Sequence, residues 1–102
     1  MEIIHENEYQ DKVKSGVVLV DFFANWCAPC RMMTPILEEV AEELAGAINI
    51  YKVDVDEDED LARKFGIMSI PTIYIYVDGV IKEKHLGLWM KEDLIDTIKK
   101  YI

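Results

Sequence analysis

Cysteine is the scarcest informative residue in this chain: there are two, Cys27 and Cys30, both inside the run Trp26-Cys27-Ala28-Pro29-Cys30. One pair excludes the multi-bridge framework of a small secreted scaffold. Proline and glycine are also few, three and five, which leaves no room for a long flexible linker. No run approaches the roughly 18 continuous apolar residues of a membrane span, and no internal repeat is found. Cations are outnumbered, 11 Lys and Arg against 20 Asp and Glu, for a net charge of −9. That balance excludes the clustered positive charge needed to displace phosphate counterions, so no nucleic-acid partner is expected. It also disfavours docking on an anionic membrane. The stretch Met1 to Glu8 is acidic and polar, unlike a secretory signal. A cytoplasmic location is therefore expected, where a cysteine pair is more often catalytic or metal-binding than structural.

What is present is enough apolar material, 51% of 102 residues, for one core in one domain spanning 1–102. Ile3-Ile4 reads as a short strand, followed by a helix from about Glu8 to Ser15 that stops at Gly16. Val17 to Ala24 is almost wholly apolar, as in a central strand buried on both faces. From Cys27 to about Ala45 a helical period emerges, with Ile36, Leu37, Val40 and Leu44 on one side and Glu38, Glu39, Glu42 and Glu43 on the other. Pro35 should kink that helix and Gly46 end it. A strand over Ile48 to Val55, a short helix from Asp60 to about Phe65, and two strands, Thr72 to Val77 and Val80 to Leu86, follow. The last two are joined by Asp78-Gly79, a strong hairpin signal. Leu94, Ile95, Ile98 and Tyr101 mark an amphipathic final helix. The order βαβαβαββα predicts an α/β fold, a central mixed β-sheet flanked by helices on both faces.

Two thiols two residues apart can close a small ring when a helix begins at the first, giving a reversible two-electron switch. Cys27 falls where the strand ends and the helix begins, and free N–H groups with the positive end of the helix dipole favour a thiolate there. Cys27 is thus expected to attack, and Cys30, one turn inside, to resolve the mixed disulfide. Pro29 suits the first helical turn. The rival readings are a structural disulfide, which would gain little loop entropy, and a zinc site, for which only His5 and His85 remain as further histidine or cysteine ligands. Haem attachment is excluded because Arg31, not His, follows Cys30. Asp21 is a lone carboxylate in an apolar strand, on the same face as Leu19 and Phe23. Burial would raise its pKa and fit it to exchange a proton near neutrality, the rival reading being an edge or purely structural carboxylate. Lys52, on the next strand, could reach it. The run Asp54 to Asp58 starts like a calcium loop but has Glu59 and Phe65 where glycine and glutamate are required, so a solvated turn is expected.

Val20-Asp21-Phe22, Trp26 to Cys30, Pro35, Lys52-Val53-Asp54-Val55-Asp56, Gly66-Ile67 with Ser69-Ile70-Pro71-Thr72, Asp78-Gly79 and Gly87 occur in the order found in the thioredoxin family, which the chain resembles along practically its whole length. The resemblance implies a cis Ile70–Pro71 bond beside the sulfurs, with the Ile70 backbone pairing to an extended substrate segment. It implies a docking surface of Trp26, Ala28, Pro29, Ile70, Pro71 and Gly87, and deprotonation of Cys30 by Asp21 with help from Lys52 and a water. It further implies a monomeric protein-disulfide reductase with no bound cofactor beyond the dithiol itself. Its partners would be a thioredoxin reductase and substrates such as ribonucleotide reductase or peroxiredoxins. Ala28 stands where the family usually has glycine and where oxidising relatives usually have histidine. Lacking that cation, it points to a reductant. Phe23 replaces a frequent tryptophan, while Met68 and the bulky Leu88-Trp89-Met90 are expected to alter the docking face. A thioredoxin-like scaffold subunit and a disulfide-forming oxidant are the competing functions.

Overall fold

The computed structural model describes residues 1–102. Its elements are β1 (Glu2–Ile3), α1 (Glu6–Val13), β2 (Val17–Phe23), α2 (Ala28–Glu43), β3 (Asn49–Asp54), α3 (Glu59–Lys64), β4 (Thr72–Val77), β5 (Val80–Leu86) and α4 (Lys91–Ile98). The five strands form one sheet in the order β1-β3-β2-β4-β5. β1 and β2 run parallel to β3, whereas β4 is antiparallel to β2 and β5 to β4. This is the expected βαβαβαββα order.

β2 lies at the centre, and strand alternation divides its side chains between two cores. Leu19 joins Ile73 and Ile75 of β4 against Met33, Leu37 and Val40 of α2 and Leu94, Ile95 and Ile98 of α4. Val18, Val20 and Phe22 face the other way, with Tyr74 and Tyr76, against Tyr9 and Val13 of α1 and Leu61 of α3. An apolar run with no polar face is thereby explained: both sides of the strand are covered. At its C-terminal end, Phe23 and Ala24 meet Cys27 and Cys30 in a small cluster of their own.

Several boundaries depart from the sequence reading for identifiable reasons. α1 begins two residues early because Asp58, far away in sequence, accepts the Glu6 N–H (3.2 Å), while the Glu8 carboxylate reaches back to the His5 N–H (3.2 Å). Such a long-range cap leaves no local trace. α2 runs through Pro35 to Glu43, Gly46 lying beyond its cap at Leu44. The hairpin forms as expected, with Asp78 and Gly79 both left-handed (φ 48° and 84°), as a tight primed turn requires. Asp78 is held there by Gly16, whose N–H donates to its carboxylate (2.8 Å) and whose carbonyl accepts the Asp78 N–H (3.0 Å). Lys82 and Lys84 on the edge strand β5 are exposed, which discourages edge-to-edge pairing with another sheet.

One buried polar contact stands out in the α1 core: the Tyr9 and Tyr76 hydroxyls lie 2.6 Å apart, both nearly inaccessible. Burial pushes the Tyr9 phenol well above its ordinary pKa, so it remains a neutral hydrogen-bonding group. Tyr9→Phe should leave the Tyr76 hydroxyl without this partner and lower stability by about 1–2 kcal/mol. Tyr9→Phe with Tyr76→Phe should be less destabilised than the two single changes added together, as read from urea unfolding midpoints.

Candidate active site

The site is assembled where β2 hands the chain to α2. The Cys27 N–H bonds the Ala24 carbonyl (3.2 Å) in a tight turn, and the Cys27 carbonyl accepts the first helical bond from Arg31 (3.1 Å). Cys27 is therefore the N-cap of α2, in extended conformation (φ −90°, ψ 114°). Its sulfur takes the role usually filled by a serine or aspartate oxygen, accepting the Cys30 N–H at 3.2 Å. Pro29 sits in the first turn, where its missing N–H leaves no bond unmade. The two sulfurs are joined as a disulfide across Cα atoms 5.2 Å apart. In the reduced state the same donor and the helix dipole would favour an anion on Cys27. Both cysteines are buried, Cys27 slightly less than Cys30.

A second segment closes over the pair. The Ile70–Pro71 peptide bond is cis, and the Ile70 carbonyl lies 3.7 Å from the Cys27 sulfur. Thr72 donates its hydroxyl to the Ser69 carbonyl, bridging the turn. The Pro71 carbonyl accepts the Gly87 N–H at 2.8 Å, which draws the end of β5 to the same place. Trp26, Ala28 and Pro29 are exposed beside this loop. The Trp26 indole is 69% exposed, with its N–H fixed on Asp56 at 2.8 Å. The six residues expected at a docking surface lie on three segments near Cys27, but only Trp26, Ala28 and Pro29 are exposed; Ile70 and Gly87 are half-buried and Pro71 is buried.

Asp21 is fully buried on the face of β2 that bears Leu19 and Phe23, and neither of its oxygens has a hydrogen-bond partner in the protein. Burial pushes its carboxyl up to about 7, Lys52 offsetting part of that cost with its positive charge. Lys52 is level with Asp21 in the β2–β3 ladder. It does not pair with Asp21, however. Its ammonium donates to the Thr34 hydroxyl (3.1 Å) and sits 4.4 Å from the centre of the Phe23 ring. The expectation of direct reach is corrected accordingly: the lysine acts on Asp21 through space.

Two other expectations divide. Met68 is 96% exposed next to the Ile70 loop, as a docking-face difference requires. Trp89 instead turns inward, stacks on His85 (4.2 Å between ring centres) and donates its backbone N–H to the Met33 sulfur (3.4 Å). Its bulk fills core rather than widening the surface. His5 is bound to Asp58 (2.8 Å), so the two histidines are committed to separate neighbours. The acidic run is built as a turn, Asp54 accepting the Asp56 N–H (2.9 Å). Thr34 and Asp56 escaped the sequence reading. The signal for Thr34 was its place one helical turn after Cys30; for Asp56 there was none, because its contact is long-range.

A thioredoxin family model matches residues 1–100. The chain belongs to the thioredoxin family. It is 44% identical over 99 residues to the thioredoxin of Staphylococcus saprophyticus, covering 97% of this chain and 95% of that one. Identity to the thioredoxin of Listeria monocytogenes is also 44%, over 97% and 96% of the two chains. A solved structure of a single-residue mutant of thioredoxin from Halobacterium salinarum superposes with a TM-score of 0.88 at 35% identity, covering 98% of this chain and 88% of that one. The architecture is accordingly the thioredoxin fold. Thioredoxins reduce protein disulfides by dithiol–disulfide exchange, with a thioredoxin reductase and disulfide-bearing proteins as partners and in general without a bound cofactor. The bonded Cys27–Cys30 pair gives this chain the centre for that chemistry. No helix is long and apolar enough to cross a membrane.

Asp21 holds its proton more tightly folded (pKa about 7) than at its unperturbed value of 3.8, so the native state is penalised as pH rises between those values. Below that window the penalty vanishes. Asp21→Asn should therefore be more stable than the parent at about pH 8, by up to roughly 4 kcal/mol, and lose that advantage near about pH 4. Urea unfolding of both oxidised proteins across that range measures it.

Proposed function

We propose that the chain is a single thioredoxin domain, residues 1–102, acting as a monomeric cytoplasmic reductant of protein disulfides, with Cys27 as nucleophile and Cys30 as resolving thiol. The observation that carries this assignment is the capping bond: the Cys27 sulfur accepts the Cys30 N–H at the start of α2, and Cys30 itself lies one turn inside the helix.

The cycle starts from the reduced pair. The Cys27 thiolate attacks one sulfur of a substrate disulfide, forming a mixed disulfide and expelling the other substrate sulfur as a thiolate. Cys30, giving its proton to Asp21 through a water, then attacks the Cys27 sulfur. The Cys27–Cys30 disulfide forms and the second substrate thiolate leaves, completing a two-electron transfer. A carboxyl near neutrality suits this exchange, since it can accept the proton and return it. Lys52 moderates that carboxyl electrostatically. Docking rests on Trp26, Ala28, Pro29, Ile70, Pro71 and Gly87, with the Ile70 backbone free to pair with an extended substrate strand. Ala28 places no cation beside Cys27, which favours a reductant over an oxidant. Recharging falls to a flavoprotein thioredoxin reductase drawing on NADPH or another low-potential donor. Ribonucleotide reductase and peroxiredoxins are substrates of the right kind, and no cofactor beyond the dithiol is required.

Cys30→Ser should accumulate a stable mixed disulfide through Cys27 when offered a disulfide protein, located by peptide mass spectrometry. Cys27→Ser should trap nothing; an adduct on Cys30 instead would reverse the assignment. In an insulin-type reduction assay both variants should fall to background. Asp21→Asn should slow release of the trapped substrate by about tenfold or more while leaving the first attack nearly unchanged. Equal slowing of both steps would remove Asp21 from the resolving step.

A further inference from the structure

We propose that Thr34 is a positioning residue, which holds the Lys52 ammonium away from Asp21 and so keeps that carboxylate without a direct ionic partner. The proposal deepens the role given to Asp21 above and rests on it for its catalytic meaning, though not for its geometry.

Asp21 and Lys52 are paired at the same level of adjacent parallel strands, the arrangement in which a flexible lysine stem could fold onto a carboxylate. Both Asp21 oxygens lack a protein partner, and the side chain is wholly buried. A buried carboxylate and a half-buried ammonium on neighbouring strands should collapse onto one another unless something else engages the cation. Two groups do. The Thr34 hydroxyl accepts one ammonium N–H at 3.1 Å, and the face of the Phe23 ring, 4.4 Å from the nitrogen, takes another share of the charge. Thr34 lies on α2 one turn beyond Cys30, so the helix that carries the thiols also carries the hook that restrains the lysine.

The remaining neighbours leave Lys52 as the governing charge. On β4 the residue paired with Asp21 is Ile73, flanked on the same face by Ile75, and neither titrates. α4 meets this face through Leu94, Ile95 and Ile98. On β3, Asp54 lies two residues beyond Lys52 on the same face, and its carboxylate is occupied by the Asp56 and Glu57 N–H groups. The buried side chains of α2 are Cys30, Met33, Leu37 and Val40, and of these, with Cys27 at the N-cap, only the two cysteines could titrate; they bear no proton while joined in the disulfide. Burial and Lys52 are accordingly the two influences on Asp21, and Lys52 lowers its proton affinity. Bringing the ammonium into contact would lower it further, leaving a weaker base for the resolving step proposed above.

The test follows the 13C resonance of the Asp21 carboxyl through a pH titration of the oxidised protein, where the thiols do not titrate. Thr34→Val removes the hydroxyl at nearly constant volume and should lower the Asp21 midpoint by about one pH unit. Thr34→Ser, which keeps the hydroxyl, should restore it. In a Lys52→Met background Thr34→Val should leave the midpoint where Lys52→Met alone puts it. An unchanged or raised midpoint in Thr34→Val would overturn the proposal, as would an equal shift without Lys52 or failure of Thr34→Ser to restore it. Resolution of a mixed disulfide, followed separately by stopped flow, should slow about threefold in Thr34→Val. A shifted midpoint with unchanged resolution would leave the positioning intact and count against the Asp21 relay itself.

Discussion

The contact on which the site depends is the bond from the Cys30 N–H to the Cys27 sulfur. A helix leaves its first N–H groups without internal acceptors, and the fold answers that need with a side chain at the cap. Here the acceptor is sulfur, so on the mechanism proposed above the requirement that stabilises α2 also readies Cys27 for anionic chemistry. The position is set by β2, whose last residue Phe23, with Ala24 just beyond it, shares a buried cluster with both cysteines. Moving the helix start by one residue would take the sulfur away from the Cys30 N–H and from the Ile70 carbonyl.

Asp21 imposes the opposing constraint. A carboxyl at the middle of a central strand, without a protein partner, weakens the fold at every pH where it is ionised. The surrounding apolar layers, Leu19, Met33 and Leu37 with Ile73 and Ile75, supply the burial that both costs this stability and raises its proton affinity. On the reading proposed for the resolving step, that cost is the functional quantity: a salt-bridged aspartate would be cheaper to bury and a poorer base. The separation of Lys52 from Asp21 is the same compromise expressed in geometry. Enough field arrives to moderate the carboxyl, without the contact that would fix it as a permanent anion.

Much of this was legible in the chain because the relevant forces are local. The apolar run at 17–24, the helical period after Cys27 and the Asp78-Gly79 turn each carry their own physical signature, and the α/β order followed from them. The cysteine pair, with one member at a helix start, announced its chemistry, and the alternation of β2 placed Asp21 inside. What stayed hidden involves distant partners. Asp58 caps α1 across 52 residues, and Trp26 is tethered by Asp56 across 30. The Lys52 ammonium chooses Thr34 and Phe23 over the carboxylate beside it in the ladder, a choice between competing acceptors that spacing does not encode. Trp89 was misread as surface for a related reason: a bulky apolar residue after a glycine is equally compatible with docking face and core. Only the space left between Met33 and His85 decides it.

The surface around the sulfurs carries the remaining argument about recognition. Nine large hydrophobic residues are exposed in this chain, and five of them, Trp26, Met32, Met68, Leu86 and Met90, lie in sequence at or within three residues of the six proposed docking positions. Where such exposed apolar side chains adjoin in space they mark a contact surface more than scattered ones do. Three of the five are methionines, whose unbranched, polarisable chains adapt to differently shaped partners. The chain's charge is strongly negative, yet the docking positions themselves bear none. Selection at this face would then come from apolar fit and from the backbone at Ile70, with the charged remainder acting at longer range on the rate of encounter. A reductant that must meet many oxidised proteins is served by that division, since apolar fit and backbone pairing ask little of a partner's sequence, while the disulfide itself supplies the chemical test.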